Sequence, residues 1–221
     1  MADTRTRMLA SVRQALGRTS PPDPAVVAAE AAALSVDATA TQPALKLQDP
    51  LAEFMARVQG ERLAATVERI PDDAAIPAAI ARYLQAKGAP LSLALPPDPE
   101  LESLDWTGID THRTLDPNEG AAISRAHWGI AETGSLILLS SPEQPTLYAF
   151  LPLRHIIVTP AASVVPHMED FWAAFRASGK SHPRNINFVT GVSGTADIES
   201  KLVRGAHGPK ALHILLTGDV R

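Results

Sequence analysis

The sequence predicts an α/β fold, a sheet covered by helices on both faces, with a helical arm at the amino end. Three observations carry that prediction. Short apolar runs at 136–139, 155–159 and 212–216, bounded by Gly, Pro and Ser, have the pattern of strands buried on both faces. They alternate with amphipathic stretches, clearest where Met168, Phe171, Trp172 and Phe175 recur at helical spacing. A hydrophobic content of 45% over 221 residues supplies a real core.

Taken in order, residues 4–16 read as a short amphipathic helix with Met8, Leu9, Val12, Ala15 and Leu16 on one face and Gly17 as its stop. Residues 18–48 are rich in Ala, Pro, Thr and Ser and read as linker, with 25–34 as a helical piece. We therefore divide the chain into an arm, 1–48, that docks on a partner or on the main domain, and an α/β domain, 49–221. Asp49-Pro50 suits an N-cap followed by the first helical residue, with Leu51, Phe54, Met55 and Val58 as the buried stripe.

A strand is expected within 63–70. Pro77 then opens a helix whose buried stripe is Ile76, Ile80, Tyr83 and Leu84, closed by Gly88. Residues 91–95 read as a strand, and 106–115 have no clear pattern. Asp116-Pro117 predicts another helix, running to about Ala126. After the strands at 136–139 and 155–159 come the helix of Met168 to Phe175 and a strand over 186–190. The rest reads as a helix over 195–203, a loop over 205–209 and a last strand over 212–216.

Twenty basic and 24 acidic residues give a net charge of -4 with no Lys/Arg stripe, which excludes a nucleic-acid footprint and a basic membrane surface. With no cysteine, the chain has no thiolate nucleophile, no zinc–thiolate site and no iron–sulfur cluster held by its own Cys. No segment reaches the roughly 20 apolar residues of a membrane span, and no signal peptide is read at the amino end. The expectation is a cytoplasmic protein. No histidine pair has a metal-binding spacing, so no metal site is expected.

Glu132 is the first candidate site residue, just ahead of a Thr133-Gly134 turn that leads into a buried strand. Two readings stand: a general base or nucleophile facing a crevice, or a carboxylate satisfied by turn N–H groups. The run Gly191-Val192-Ser193-Gly194-Thr195 reads as a turn entering a helix. Free N–H groups there, with the Ser193 and Thr195 hydroxyls, suit a carboxylate or phosphate; as an alternative, those hydroxyls only cap the helix. Arg154, at a loop–strand junction, is a candidate carboxylate ligand or else a surface ion pair. His207, on the loop 205–209, is a candidate proton-transfer group or a locally bonded histidine.

Gly129-Ile130-Ala131-Glu132-Thr133-Gly134, Leu151-Pro152 with His155-Ile156, Thr195-Ala196-Asp197-Ile198-Glu199 and Gly205-Ala206-His207-Gly208-Pro209 together resemble the lactate-utilisation protein C family (LutC/YkgG, the LUD domain). The resemblance spans residues 49–221. It implies a fold of the NagB/RpiA/CoA-transferase-like superfamily and no cofactor of the chain's own. It also implies a place in oxidising L-lactate to pyruvate beside iron–sulfur partner subunits. The family pattern carries a Lys or Arg just before Thr195, where Gly194 stands here, and an Arg within 143–147, where none stands. Each lost charge-assisted hydrogen bond to an anion would weaken it by about 1.5–3 kcal/mol.

Two functions follow. One is a cluster-free subunit or accessory protein of a lactate-oxidising system, with a small carboxylate or phosphate as ligand. The other is a stand-alone enzyme on a sugar phosphate or acyl-CoA, with Glu132 as base or nucleophile and the 191–195 turn holding phosphate.

Overall fold

The computed structural model describes residues 3–18, 20–34, 47–196 and 202–218. The chain divides into two units, Met1–Pro43 and Ala44–Arg221. In the first unit, α1 (Thr4–Ala15) ends as its sequence demands. Gly17 takes φ +63°, and the N–H groups of Gly17 and Arg18 close back on the carbonyls of Gln14 and Arg13. A second helix, α2, spans Pro24–Leu34.

The second unit opens with α3 (Pro50–Gln59), where the Asp49 carboxylate accepts from the N–H groups of Leu51 and Ala52. Leu51, Phe54 and Val58 are buried. Then come β1 (Thr66–Ile70), α4 (Ile76–Ala86), β2 (Ser92–Ala94), the single-turn α5 (Pro99–Glu102) and β3 (Asp110–His112). The chain continues through β4 (Ala121–Arg125), β5 (Trp128–Ile130), β6 (Ser135–Leu139), α6 (Leu147–Phe150) and β7 (Arg154–Pro160). It finishes with β8 (Val164–Val165), α7 (Met168–Ala177), β9 (Ile186–Val189), β10 (Gly194–Ala196), β11 (Leu202–Arg204) and β12 (Ala211–Thr217).

Six strands in the order β1-β12-β7-β4-β2-β3, all parallel, form the main sheet. Side chains alternate across it. Ile123, Ile156, Val158 and Leu215 meet Ile76, Ile80, Leu84 and Leu101 from α4 and α5. Ile157, Leu212, Ile214 and Leu216 face the other way, against Phe54 and Val58 of α3 and Leu136 and Leu138 of β6. Burying one such side chain completely contributes about 1.5–3 kcal/mol.

The mostly parallel sheet flanked by helices is the expected fold class. One further layer lies inside it. A four-stranded sheet, β8-β5-β6-β9, sits between the main sheet and α7. Its inner side chains Leu136 and Leu138 join the main core, while Ile137 and Leu139 turn outward to Phe171 and Phe175. The 136–139 run is therefore buried on both faces, with antiparallel neighbours on both sides.

Two expected helices are strands. Asp116 to Glu119 makes only a turn, closed by the Glu119 N–H on the Asp116 carbonyl. Ala121 to Arg125 then pairs with β7, because the central gap of a sheet outweighs the helix preference of two alanines. Where the sequence predicted a helix over 195–203, Gly194–Ala196 and Leu202–Arg204 form an antiparallel pair with Thr195 opposite Val203. Residues 197–201 of that expected helix lie outside the described residues.

Candidate functional site

The second residue of β7, His155, is fully buried and points to the same side of the main sheet as Ile157. Its Nε2 lies 2.9 Å from the Ser124 hydroxyl on β4. Its Nδ1 is buried and has no hydrogen-bond partner among the described residues. Burial pushes the imidazole pKa down from 6.5 to about 3, so the ring is neutral.

A cavity of about 290 Å³ opens beside it, lined in part by Gly191, Ser193, His207 and Gly208. Two chain corners build this cavity. Gly191 holds φ +81°, and a Cβ there would stand 2.8 Å from the backbone of Leu63. The Ser193 N–H donates to the Pro209 carbonyl, and the Gly205 N–H donates to the Ser193 carbonyl. These bonds clamp the two loops together. A neutral imidazole with one free nitrogen can hydrogen-bond one hydroxyl or carbonyl group, in a role fixed by its tautomer.

Glu132 stands at a neighbouring cavity of about 380 Å³, together with Arg57, Arg62, Leu63, Thr133 and Thr190. Both of its carboxylate oxygens accept hydrogen bonds: one from the Met168 N–H at 2.9 Å, the other 2.8 Å from His167 Nδ1. The carboxylate thus sits at the amino end of α7, where a negative charge is favoured by the helix dipole. Thr190 lines both cavities. Its hydroxyl is 2.6 Å from Ser135 Oγ, which is 2.7 Å from Thr133 Oγ1.

Of the residues singled out in the sequence, Gly191, Ser193 and His207 come together, with Glu132 next door. Gly134 (φ +70°) turns the β5–β6 corner, and a Cβ on it would fall 2.6 Å from Leu63 Cδ1. Thr195 lies on β10, so its place at a helix start is lost along with the anion argument built on that start. Arg154 sits one residue before His155 and therefore on the opposite face of the sheet, where its charge bears on Tyr83. These residues do not share one cavity. His155 was missed because its burial arises from tertiary packing; strand alternation after Arg154 was the available signal.

Residues 119–217 match the family model of the LUD domain. Over that stretch, somewhat under half of the chain, it is similar to the LUD domain. His155, Glu132 and both cavity corners fall within those residues, whereas α3 and α4 precede them. The chain is 39% identical over 118 residues to Lactate utilization protein C of Geobacillus thermodenitrificans, covering 51% of this chain and 49% of that protein. Against Lactate utilization protein C of Bacillus subtilis it is 40% identical over 92 residues, 40% of this chain and 38% of the relative. The chain thus spans about half the length, or less, of these relatives. Among solved structures, a DUF162 family protein from Deinococcus radiodurans superposes with a TM-score of 0.55 at 20% identity, covering 79% of this chain and 99% of that one. That likeness is one of fold. Among the described residues no helix is long and apolar enough to cross a membrane, and no three His, Asp or Glu side chains are grouped to hold a metal ion.

Proposed function

We propose that this chain serves lactate utilization as a subunit without iron–sulfur ligands of its own, beside iron–sulfur partners that carry electrons from L-lactate as it becomes pyruvate. The observation that carries this reading is the LUD-domain match together with relatives named Lactate utilization protein C. The absence of cysteine is in keeping with leaving electron transfer to other chains.

The cavity beside His155 is the place we assign to a small hydroxy or oxo acid. The free Nδ1 suits its hydroxyl or carbonyl, and Gly191 and Ser193 line the wall toward which its carboxylate would turn. His207 is kept as the candidate proton-transfer group of that wall. The test is native purification of the tagged chain from cells grown on L-lactate, with growth of a deletion strain measured in parallel. Cysteine-rich iron–sulfur proteins are expected to co-purify, and loss of growth on L-lactate is expected without the chain. Recovery of the chain alone, with normal growth of the deletion strain, overturns the proposal.

The stand-alone enzyme keeps one observation on its side: Glu132 lines a cavity with Arg57 and Arg62. A carboxylate with both oxygens already engaged is a poor base, and we rank that reading second.

A further inference from the structure

The His155 cavity lies at the amino end of the parallel strands; a different crevice opens at their carboxyl end. The sheet order β1-β12-β7-β4-β2-β3 reverses direction between β2 and β4. From β2 the chain steps outward to β3, then returns to β4 and proceeds the other way through β7 and β12. Open parallel sheets leave a ligand crevice at the carboxyl ends of the strands flanking such a reversal. Here the crevice has a volume of about 740 Å³, and its lining includes Asp98, Glu100, Arg125, His127, Gln144 and Lys180.

Arg125 is the last residue of β4, and its side chain is 12% exposed. Nη1 donates to Asp73 Oδ2 at 2.8 Å. Nε and Nη2 are buried without a hydrogen-bond partner among the described residues. Those two nitrogens form one edge of the guanidinium, the fork that takes a carboxylate or phosphate through two parallel hydrogen bonds. Two carboxylates stand near Nε, Glu100 Oε2 at 3.5 Å and Asp98 Oδ2 at 3.7 Å.

Asp98 is committed elsewhere. One oxygen accepts from the N–H groups of Glu100 and Leu101, the other from Gln144 Nε2 at 2.6 Å. Glu100 is not held, and its side chain is 74% exposed. Nη2 has no acceptor and Nε only long ion pairs, an arrangement that costs free energy in any fold. A loose carboxylate waiting beside them makes the fork a place that an incoming oxyanion can take over.

We propose that this crevice binds a small oxyanion-bearing molecule, a carboxylate or a phosphate, seated on the Nε/Nη2 edge of Arg125 with Lys180 at the mouth and Glu100 displaced. Burial, followed by the charges of Lys180 and then Arg125, pushes the His127 pKa down, against the opposing pull of Asp98. Lys180 and Arg125 thus both act on the crevice wall that His127 shares. Glu100 and Glu143 at the rim disfavour highly charged ligands, which sets the class as singly or doubly charged metabolites. This site does not depend on the lactate reading.

The experiment is calorimetric titration of the full chain with acetate and, separately, with inorganic phosphate. Saturable binding of either that responds to Glu100→Gln and Lys180→Ala, both outside the His155 cavity, supports the site, and the tighter of the two names the ligand class. Glu100→Gln is expected to tighten binding several-fold, because it removes the competing carboxylate. Lys180→Ala is expected to weaken it a few-fold. Arg125→Lys, which loses the fork, is expected to weaken it by about tenfold or more. If Arg125→Lys does not fold, the two exposed positions decide. No binding by the parent or by Glu100→Gln, or binding indifferent to Glu100→Gln and Lys180→Ala, overturns the proposal. Growth on lactate reads the pathway assignment separately, so the two can fail independently.

Discussion

Acid should unfold this protein through its buried histidines, and His155 allows the size of the effect to be worked out. Its pKa is about 3 in the fold against an ordinary 6.5, lowered by burial. The unfolded chain therefore takes up a proton below pH 6.5 that the folded chain refuses until near pH 3. The stability this represents is fully present above pH 6.5 and is lost as pH falls toward 3, at about 1.4 kcal/mol per pH unit. His213 behaves alike: its pKa is lowered to about 4 by burial, with Glu68 opposing. Together the two cost about 3 kcal/mol near pH 5.5, a large share of the roughly 5–15 kcal/mol that holds a domain. Urea denaturation at about pH 7.5, 6.5 and 5.5 measures the slope, in the parent and in His155→Gln. The substitution should remove the share of the slope due to His155 and leave those of His213 and His127, whatever it costs at neutral pH. An unchanged slope would refute the buried, neutral imidazole and the free Nδ1 argued from it.

Two further outcomes test the corners around the two cavities. Gly191→Ala should destabilise by about 1–3 kcal/mol, since its φ of +81° and the Leu63 backbone 2.8 Å away leave a Cβ no room; a neutral melt would contradict this. Glu132→Ala should cost about 1.5–3 kcal/mol by orphaning the Met168 N–H and the His167 ring, and the loss should appear as fraying of α7 in hydrogen exchange. Protected α7 amides in that variant would return Glu132 to the list of bases.

The legible part of the fold was the part decided locally. Asp49-Pro50, Gly17 and Gly88 are capping residues whose partners lie within a turn, and the apolar stripes of α4 and α7 are local periodicities. What was misread depends on distant chain. Asp116-Pro117 followed by two alanines looks like a helix start; only the empty place between β7 and β2 makes Ala121–Arg125 a strand. Thr195 likewise owes its conformation to Val203 across the pair. β6 and β9 of the second sheet were legible as apolar runs, but β5 is three residues long, too short for any period, so nothing local showed that they pair in a sheet of their own.

The same division holds for the sites. Glycine-bearing corners announced Gly191, Ser193 and His207. The choice between Arg154 and His155 as the residue facing a cavity turns on which side of the sheet α3 covers, and one residue cannot reveal that.

The row of hydroxyls on Thr133, Ser135 and Thr190 has a consequence of its own. Ser135 has a single proton and two threonine neighbours at 2.7 and 2.6 Å. It can donate to only one of them, so at least one threonine must direct its own proton inward. At any moment at most one end of the row has a hydrogen free to offer outward. A guest that draws a hydrogen from the Thr190 end therefore obliges Thr133 to donate its own proton to Ser135.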